Sequence, residues 1–123
     1  MRTSLATMPP IKTACSTAYA THLIVSATPC QVLRVYASIK HDAPNAIYYL
    51  QVIDSAVAVN GGGAITLLSV REINHKQNET ELYVMDFAAY GVRCAAGCVV
   101  QLSTAIGVGT LDGVNLLASA EYI

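Results

Sequence analysis

Residues 91–104 read GVRCAAGCVVQLST, and this stretch decides the fold class. Every even position from Val92 to Leu102 is apolar. That is the period of two shown by a β-strand with one face in a core. Gly97 has no Cβ atom, so we expect a bulge or bend at that position. The stretch predicts a long β-strand in an all-β domain and contains no catalytic motif.

Further strands follow from the same reasoning. Residues 46–54, AIYYLQVID, are apolar on both faces except at Gln51 and predict a central strand. Residues 31–40 alternate between apolar and polar side chains, and the segments 65–73 and 79–87 predict a hairpin. About eight strands joined by loops of roughly five to ten residues indicate a two-sheet β-sandwich, most often a jelly roll.

The composition indicates a single domain whose surface is partly covered by other protein. The 123 residues are 54% hydrophobic and only 12% charged, and this charged share is about half of that in a typical soluble domain. No apolar run approaches the roughly 20 residues of a membrane-spanning helix, so we expect no membrane segment. The net charge is −1 with scattered basic residues, which predicts no binding of nucleic acid.

The first 20 residues are rich in Thr, Ser, Ala and Pro and predict an extended N-terminal arm, ordered by a neighbouring subunit. The single β-sandwich domain is then expected over residues 21–123. We expect five arm residues to contact another protein: Arg2, Pro9, Pro10, Ile11 and Lys12. The three apolar residues would pack against the partner, and the two cations would face its acidic rim.

The sequence predicts no catalytic, cofactor-binding or metal-binding residues. His22, His41 and His75 lie near predicted strand ends and turns without the spacing of a metal site. Asp54 and Asp86 lie at or near strand ends, where a carboxylate typically accepts backbone N–H bonds. We therefore expect that the protein is not an enzyme.

The four cysteines are expected to be buried free thiols. A disulfide that involves Cys30 or Cys15 and a metal site remain as alternatives. In one continuous strand Cys94 and Cys98 would lie roughly 13 Å apart, at about 3.3 Å per residue, and could not bond to each other.

Four segments follow a pattern of strand and turn residues: Leu33–Ala37, Tyr48–Asp54, Gly91–Thr104 and Glu121–Ile123. The first has the form Leu-x-Val-x-small, the second ends in Asp after Gln and two apolar residues, and the third ends in Ser-Thr. Together they resemble a recurring pattern in small virion proteins of tailed bacteriophages. The resemblance covers roughly residues 28–123.

This resemblance implies a jelly-roll or related β-sandwich that decorates or cements a capsid, or forms part of a head fibre or tail. We expect a structural virion protein on the capsid exterior, synthesised in the cytoplasm of the bacterial host. Its partners would be the major capsid protein and copies of itself, as a dimer or trimer, without a cofactor.

Two other functions stay open at this point. One is a receptor-binding or glycan-binding module of a phage fibre or tail, in which Tyr36, Tyr48 or Tyr90 would stack on a sugar. The absence of Trp ranks it second. A small β-sandwich hydrolase that uses Asp54 or His75 ranks third.

Overall fold

The computed structural model describes residues 10–40, 46–75, 80–88, 90–109 and 115–123. All of its regular elements are β-strands. In chain order they are β1 (Lys12–Cys15), β2 (His22–Ser26), β3 (Cys30–Lys40), β4 (Ala46–Asp54), β5 (Gly63–Ala64), β6 (Leu67–His75), β7 (Thr80–Asp86), β8 (Val92–Cys94), β9 (Cys98–Ser103), β10 (Val108–Gly109) and β11 (Leu116–Tyr122). The described residues include no helix that is long and apolar enough to cross a membrane.

Two antiparallel sheets enclose one core, which is consistent with the predicted β-sandwich. The five-stranded sheet has the order β1-β11-β3-β7, and β8 also pairs with β3. The four-stranded sheet has the order β2-β9-β4-β6. Val35 and Leu116 from the first sheet are fully buried with Leu50 and Val100 from the second. The all-β prediction is confirmed.

The number and pairing of the strands differ from the prediction. The described residues form eleven strands, of which β5 and β10 make a separate two-residue ladder. The predicted hairpin is wrong, because β6 pairs with β4 and β7 pairs with β3 in the other sheet. Each of the two strands has an apolar inner face, with Ile73 on β6 and Met85 on β7. Placing them in opposite sheets buries both faces in the same core.

The stretch 91–104 is two strands rather than one. β8 pairs with β3 in the five-stranded sheet, whereas β9 lies between β2 and β4 in the four-stranded sheet. The bend falls at residues 95–97, as Gly97 predicts. A Cβ atom on Gly97 would lie 2.5 Å from the Ser26 carbonyl oxygen, so any other residue would force these segments apart.

The strand β3 changes the face that it turns to the core. Cys30 and Val32 are buried at its start, but Val35 and Ala37 are buried further along. The change from even to odd positions accompanies a shift in register against β11, between Glu121 and Tyr122. Such a shift is the mark of a β-bulge. The side chain of Leu33, which belongs to the apolar alternation of residues 31–40, is consequently only half buried.

The described part of the predicted N-terminal arm pairs with a strand of the same chain. Residues 1–9 lie outside the described residues, and residues 12–15 form β1, which pairs with β11 of the same chain. Ala20 also forms a bridge with Leu116. The domain therefore includes residues that the sequence assigned to the arm, because β11 offers an edge to which they can hydrogen-bond.

Loops cover the outer face of the four-stranded sheet. All six residues of β9 are buried, so both of its faces are covered. On the outer side, the Gln101 amide accepts from Val59 N–H at 3.2 Å and donates to Val59 O at 3.1 Å. Gln51 Nε2 donates to Ala105 O at 2.7 Å. This sheet therefore uses its outer face to hold its own loops.

The two buried glutamines predict unequal losses of stability. Gln101→Met leaves both Val59 backbone groups without their side-chain partner and is expected to cost about 1–3 kcal/mol. Gln51→Met should cost less than about 1 kcal/mol, since Gln51 Oε1 has no hydrogen-bond partner and Ala105 O also accepts from Ser103 Oγ. Urea unfolding of the two variants measures the difference. Equal costs would contradict the assigned bonding.

Candidate functional site: an outer sheet face and a thiol cluster

The outer face of the five-stranded sheet carries apolar side chains where polar ones are usual. Its register aligns Ser119, Tyr36 and Val84 in one row, and Leu117, Ser38 and Leu82 in the next. These positions alternate with the buried residues of β3, β7 and β11. An antiparallel sheet with one wet face normally has polar residues at such positions.

Leu82 and Val84 are the most exposed apolar residues of this face. Leu82 is 71% exposed and Val84 is 46% exposed. Beside Leu82, a groove of about 210 Å³ is lined by Tyr36, Leu117 and Cys15 among others. We call the surface formed by Cys15, Tyr36, Ser38, Leu82, Val84, Leu117 and Ser119 the contact face. Apolar patches of this kind commonly mark sites of protein binding.

Three charged residues, Arg34, Asp86 and Glu121, lie together at one end of the contact face, and Lys40 lies at the opposite end of β3. Arg34 Nε is 3.4 Å from an Asp86 carboxylate oxygen, and the Tyr36 hydroxyl donates to Glu121 Oε1 at 3.0 Å. The register pairs Arg34 with both Glu121 and Asp86. Arg34 offsets one of the two carboxylates, and the residues at the centre of the contact face carry no charge.

The predicted arm contacts lie beside this charged end where they are described. Arg2 and Pro9 lie outside the described residues. Pro10, Ile11 and Lys12 are exposed, and Ile11 lines a pocket of about 190 Å³ with Leu33, Arg34, Ala88 and Glu121. Lys12 Nζ lies 5.9 Å from the centre of the Tyr122 ring. The structure thus places the end of the arm next to the contact face.

Sequence reasoning missed Leu82, Val84 and Leu117 as surface residues. A signal was available in residues 80–86, TELYVMD, since both alternating faces of that strand carry apolar residues.

The glycan-binding alternative loses one of its three tyrosines, because Tyr48 is buried in the core at 4% exposure. Tyr48 cannot stack on a sugar. Tyr90 is exposed, and Tyr36 is half buried.

Three of the four cysteines converge at one end of the sandwich. Cys30 is the register partner of Cys94 across β3 and β8. The bend at 95–97 brings Cys98 back to the same buried cluster as Cys94 and Cys30, where Cys94 Sγ donates to Val92 O at 4.0 Å. The separation of a continuous strand does not apply, because the chain changes sheets between Cys94 and Cys98. All three are buried free thiols, whereas Cys15 is exposed, contrary to the expectation for that residue.

The three thiols have different acidities. Hydrogen bonds from Cys98 and then from Cys30 lower the pKa of Cys94. Burial and the neighbouring Cys94 raise the pKa of Cys30 to about 11. The hydrogen bond with Cys94, together with burial, raises the pKa of Cys98. Cys94 is therefore the thiol of the three that ionises first, with the other two as donors.

Asp54 holds the bend on which the thiol cluster depends. Its carboxylate accepts backbone N–H bonds from Ala95 at 2.8 Å, Ala96 at 2.8 Å and Gly97 at 3.4 Å. These bonds lower the pKa of Asp54 from its ordinary value of 3.8. The predicted role of Asp54 as an acceptor of backbone bonds is confirmed, and the same bonds occupy the carboxylate that a hydrolase would need.

The other polar candidates do not form a reactive site in the described part of the chain. His22 Nδ1 lies 2.8 Å from Thr21 Oγ1, His41 falls outside the described residues, and nothing is described of the His75 side chain. Across residues 10–40, 46–75, 80–88, 90–109 and 115–123, no group of three or more His, Cys, Asp or Glu residues could hold a metal ion. This includes the three thiols.

The chain matches no protein-family model, no curated protein and no solved structure. The likeness to virion proteins therefore rests on the sequence pattern alone.

Replacing Asp54 tests the anchoring of the bend. Asp54→Asn is expected to cost about 1–2 kcal/mol at neutral pH, because the amide is a weaker acceptor than the carboxylate. Since the pKa of Asp54 is lowered on folding, its contribution is complete above its ordinary pKa of 3.8. The contribution is lost as the pH falls through the lowered folded-state pKa.

The difference in stability between wild type and Asp54→Asn should therefore stay constant from pH 7 to about pH 5 and shrink below about pH 4. Urea unfolding across this range measures it. Asp86→Asn is the matched control, because Asp86 accepts one exposed backbone N–H bond, from Ala88 at 3.0 Å, and forms a half-exposed ion pair with Arg34. Its replacement should cost about 1 kcal/mol or less. Equal losses in the two variants would contradict the role of Asp54.

Proposed function

We propose that this protein is a structural virion subunit of the capsid cement or decoration type, without enzymatic activity. It would bind the capsid exterior through the contact face and stabilise the shell by burying protein surface. The observation that carries the proposal is the apolar, uncharged centre of the contact face, with Leu82 71% exposed. The sequence resemblance to phage virion proteins supports the same conclusion.

The order of the strands supports a jelly roll as the fold of this subunit. The three shortest strands, β5, β8 and β10, are left aside. The other eight, counted from 1 to 8 along the chain, then have the order 1-8-3-6 in one sheet and 2-7-4-5 in the other. Two packed sheets of four strands are the architecture of a jelly roll, which occurs in viral capsid proteins and in lectins. The fold alone therefore leaves both function classes open.

The difference between the two outer faces favours protein binding. The four-stranded sheet covers its central strand β9 with its own loops. The five-stranded sheet exposes Leu82 and Val84 at its centre, while Arg34 pairs with Asp86 and Glu121 accepts from Tyr36 beside them. A partner that covered the contact face would remove apolar area from water without burying an unpaired charge. An interface of standard size buries about 800 Å² per partner. Many copies of such an interface on a symmetric shell would resist expansion of the capsid.

The second candidate is a glycan-binding module on a fibre or tail. The exposure of Tyr90, 84%, favours it, since an exposed ring can stack on a sugar. Tyr48 is buried and the chain has no Trp, which leaves fewer rings for such a site. We therefore rank it below capsid binding.

Val84→Lys tests the contact face against a matched control. Val84 and Ile47 are almost equally exposed, at 46% and 47%, but Ile47 lies on the outer side of the four-stranded sheet. The assay is co-sedimentation with empty capsids assembled from the capsid protein of the same genome. Val84→Lys is expected to weaken binding at least tenfold, because it places a charge in an apolar interface, while Ile47→Lys binds as wild type does.

Three outcomes would overturn this proposal. They are wild-type protein that does not sediment with capsids, equal loss of binding in both variants, and binding of wild type to a glycan array without affinity for capsids. Sedimentation velocity on the protein without capsids measures its oligomeric state. It shows whether the contact face binds another copy of the chain rather than the capsid.

Removal of residues 1–9 tests the arm. The deletion stops before β1, so the pairing of Lys12–Cys15 with β11 is kept. If the arm reaches a neighbouring subunit, we expect weaker capsid occupancy and a lower temperature of capsid disruption, with unchanged unfolding of the isolated chain. Unchanged occupancy and heat resistance would exclude Arg2 and Pro9 as contacts, whereas the role of the contact face would stand.

A further inference from the structure

We propose that Cys30 and Cys94 form a reversible intramolecular disulfide, with Cys98 as the neighbouring thiol that stays reduced. This site is a redox modification site at one end of the sandwich. It is independent of the contact face and goes beyond the proposed structural function.

The pairing of β3 with β8 provides the required geometry. Cys30 and Cys94 are direct partners in an antiparallel ladder, where opposite Cα atoms are about 4.5 or 5.5 Å apart. Both values fall in the range of roughly 4.4–6.8 Å that disulfides adopt. The two side chains also lie on the same, inward face, since both residues are buried in the shared core. A bond between them needs no change of register.

An open pocket gives reagents access to this pair. The pocket has a volume of about 180 Å³ and is lined by both cysteines together with Pro29, Gln31, Arg93 and Ile123. Cys30 is 9% exposed, while Cys94 and Cys98 are fully buried. Cys98 does not line the pocket and belongs to β9 in the other sheet. The pocket therefore opens onto Cys30 and Cys94, and a small disulfide reaches the Cys94 sulfur when this end of the sandwich opens locally, with Cys98 behind both residues.

Cys94 is the attacking group, because it faces Cys30 across the ladder and lines the pocket. The neighbouring Cys98 and Cys30 also lower its pKa, and the thiolate is the nucleophile in thiol–disulfide exchange. Cys94 attacks one sulfur of a small disulfide, RSSR, and releases one thiolate, which takes up a proton. Cys30 then loses its proton and attacks the Cys94 sulfur of the mixed disulfide. This second step forms the Cys30–Cys94 bond and releases a second RSH.

Together, the two steps convert two protein thiols and one small disulfide into one protein disulfide and two small thiols. The bond would join β3 to β8 and close a long loop of the chain. A disulfide of this kind restricts the unfolded state. We therefore expect it to raise the midpoint of thermal unfolding by roughly 5–15 °C.

The experiment treats the folded full-length chain with hydroxyethyl disulfide and maps the bonds by mass spectrometry of proteolytic peptides. The expected product has lost two hydrogens and joins the peptides that contain Cys30 and Cys94. Dithiothreitol should restore the two hydrogens and return the midpoint of thermal unfolding to its value in the reduced protein. Cys30→Ser should instead stop at a mixed disulfide on Cys94. Cys98→Ser and the control Cys15→Ser should still form the bond.

Several results would overturn the proposal: a Cys94–Cys98 bond, no intramolecular bond in wild type, or a bond in the Cys30→Ser variant. Modification confined to Cys15, which is exposed and lies outside the cluster, would do the same. The mapping of wild type decides the question even if a cysteine variant fails to fold. Capsid binding is not part of the measurement, so its failure would leave this result unaffected.

Discussion

The passage of the chain from one sheet to the other between Cys94 and Cys98 depends on the Asp54 carboxylate. That group ends the central strand β4 and accepts three backbone N–H bonds from the bend. The bend leaves β8 on β3 and sends β9 between β2 and β4. Without a fixed bend, the apolar residues on either side of it could not face each other across one core. Hydrogen bonds to a charged acceptor suit this position, because they satisfy turn amides that no strand can reach.

The two sheets treat their outer faces differently, and this asymmetry limits where the protein can act. One sheet ties down its own loops through Gln101 and Gln51, which are both fully buried. The centre of its outer face is therefore occupied, while Ile24 and Ile47 stay exposed on the same side. The other sheet presents Leu82 and Val84 to water, with the ion pair of Arg34 and Asp86 at one end. The low charge of the whole sequence is thus visible at the centre of this second face, which is not covered by loops of the described residues.

The sequence predicted the fold class because alternation and apolar runs report directly on burial. β4 and β9 were recognised for this reason, whereas the bend was expected at Gly97 because glycine has no Cβ atom. The pairing of β6 and β7 was not predicted, since an alternating pattern shows that a strand has an inner face but not which sheet contains it. The thiol cluster was missed for a related reason. Cys30 lies far from Cys94 along the chain, and only the register of β3 with β8 brings them together.

The position of β11 has a consequence for folding during synthesis on the ribosome. This strand lies between β1 and β3 and separates the first described strand from the rest of its sheet. Until Tyr122 has been synthesised, β1 has no partner in that sheet and one edge of β3 stays open. Most of the sheet must then form through contacts between residues distant in the chain, which is slow. The nascent chain therefore presents an unpaired apolar strand edge until β11 has been synthesised, and crowding of ribosomes on one message would favour pairing between neighbouring chains.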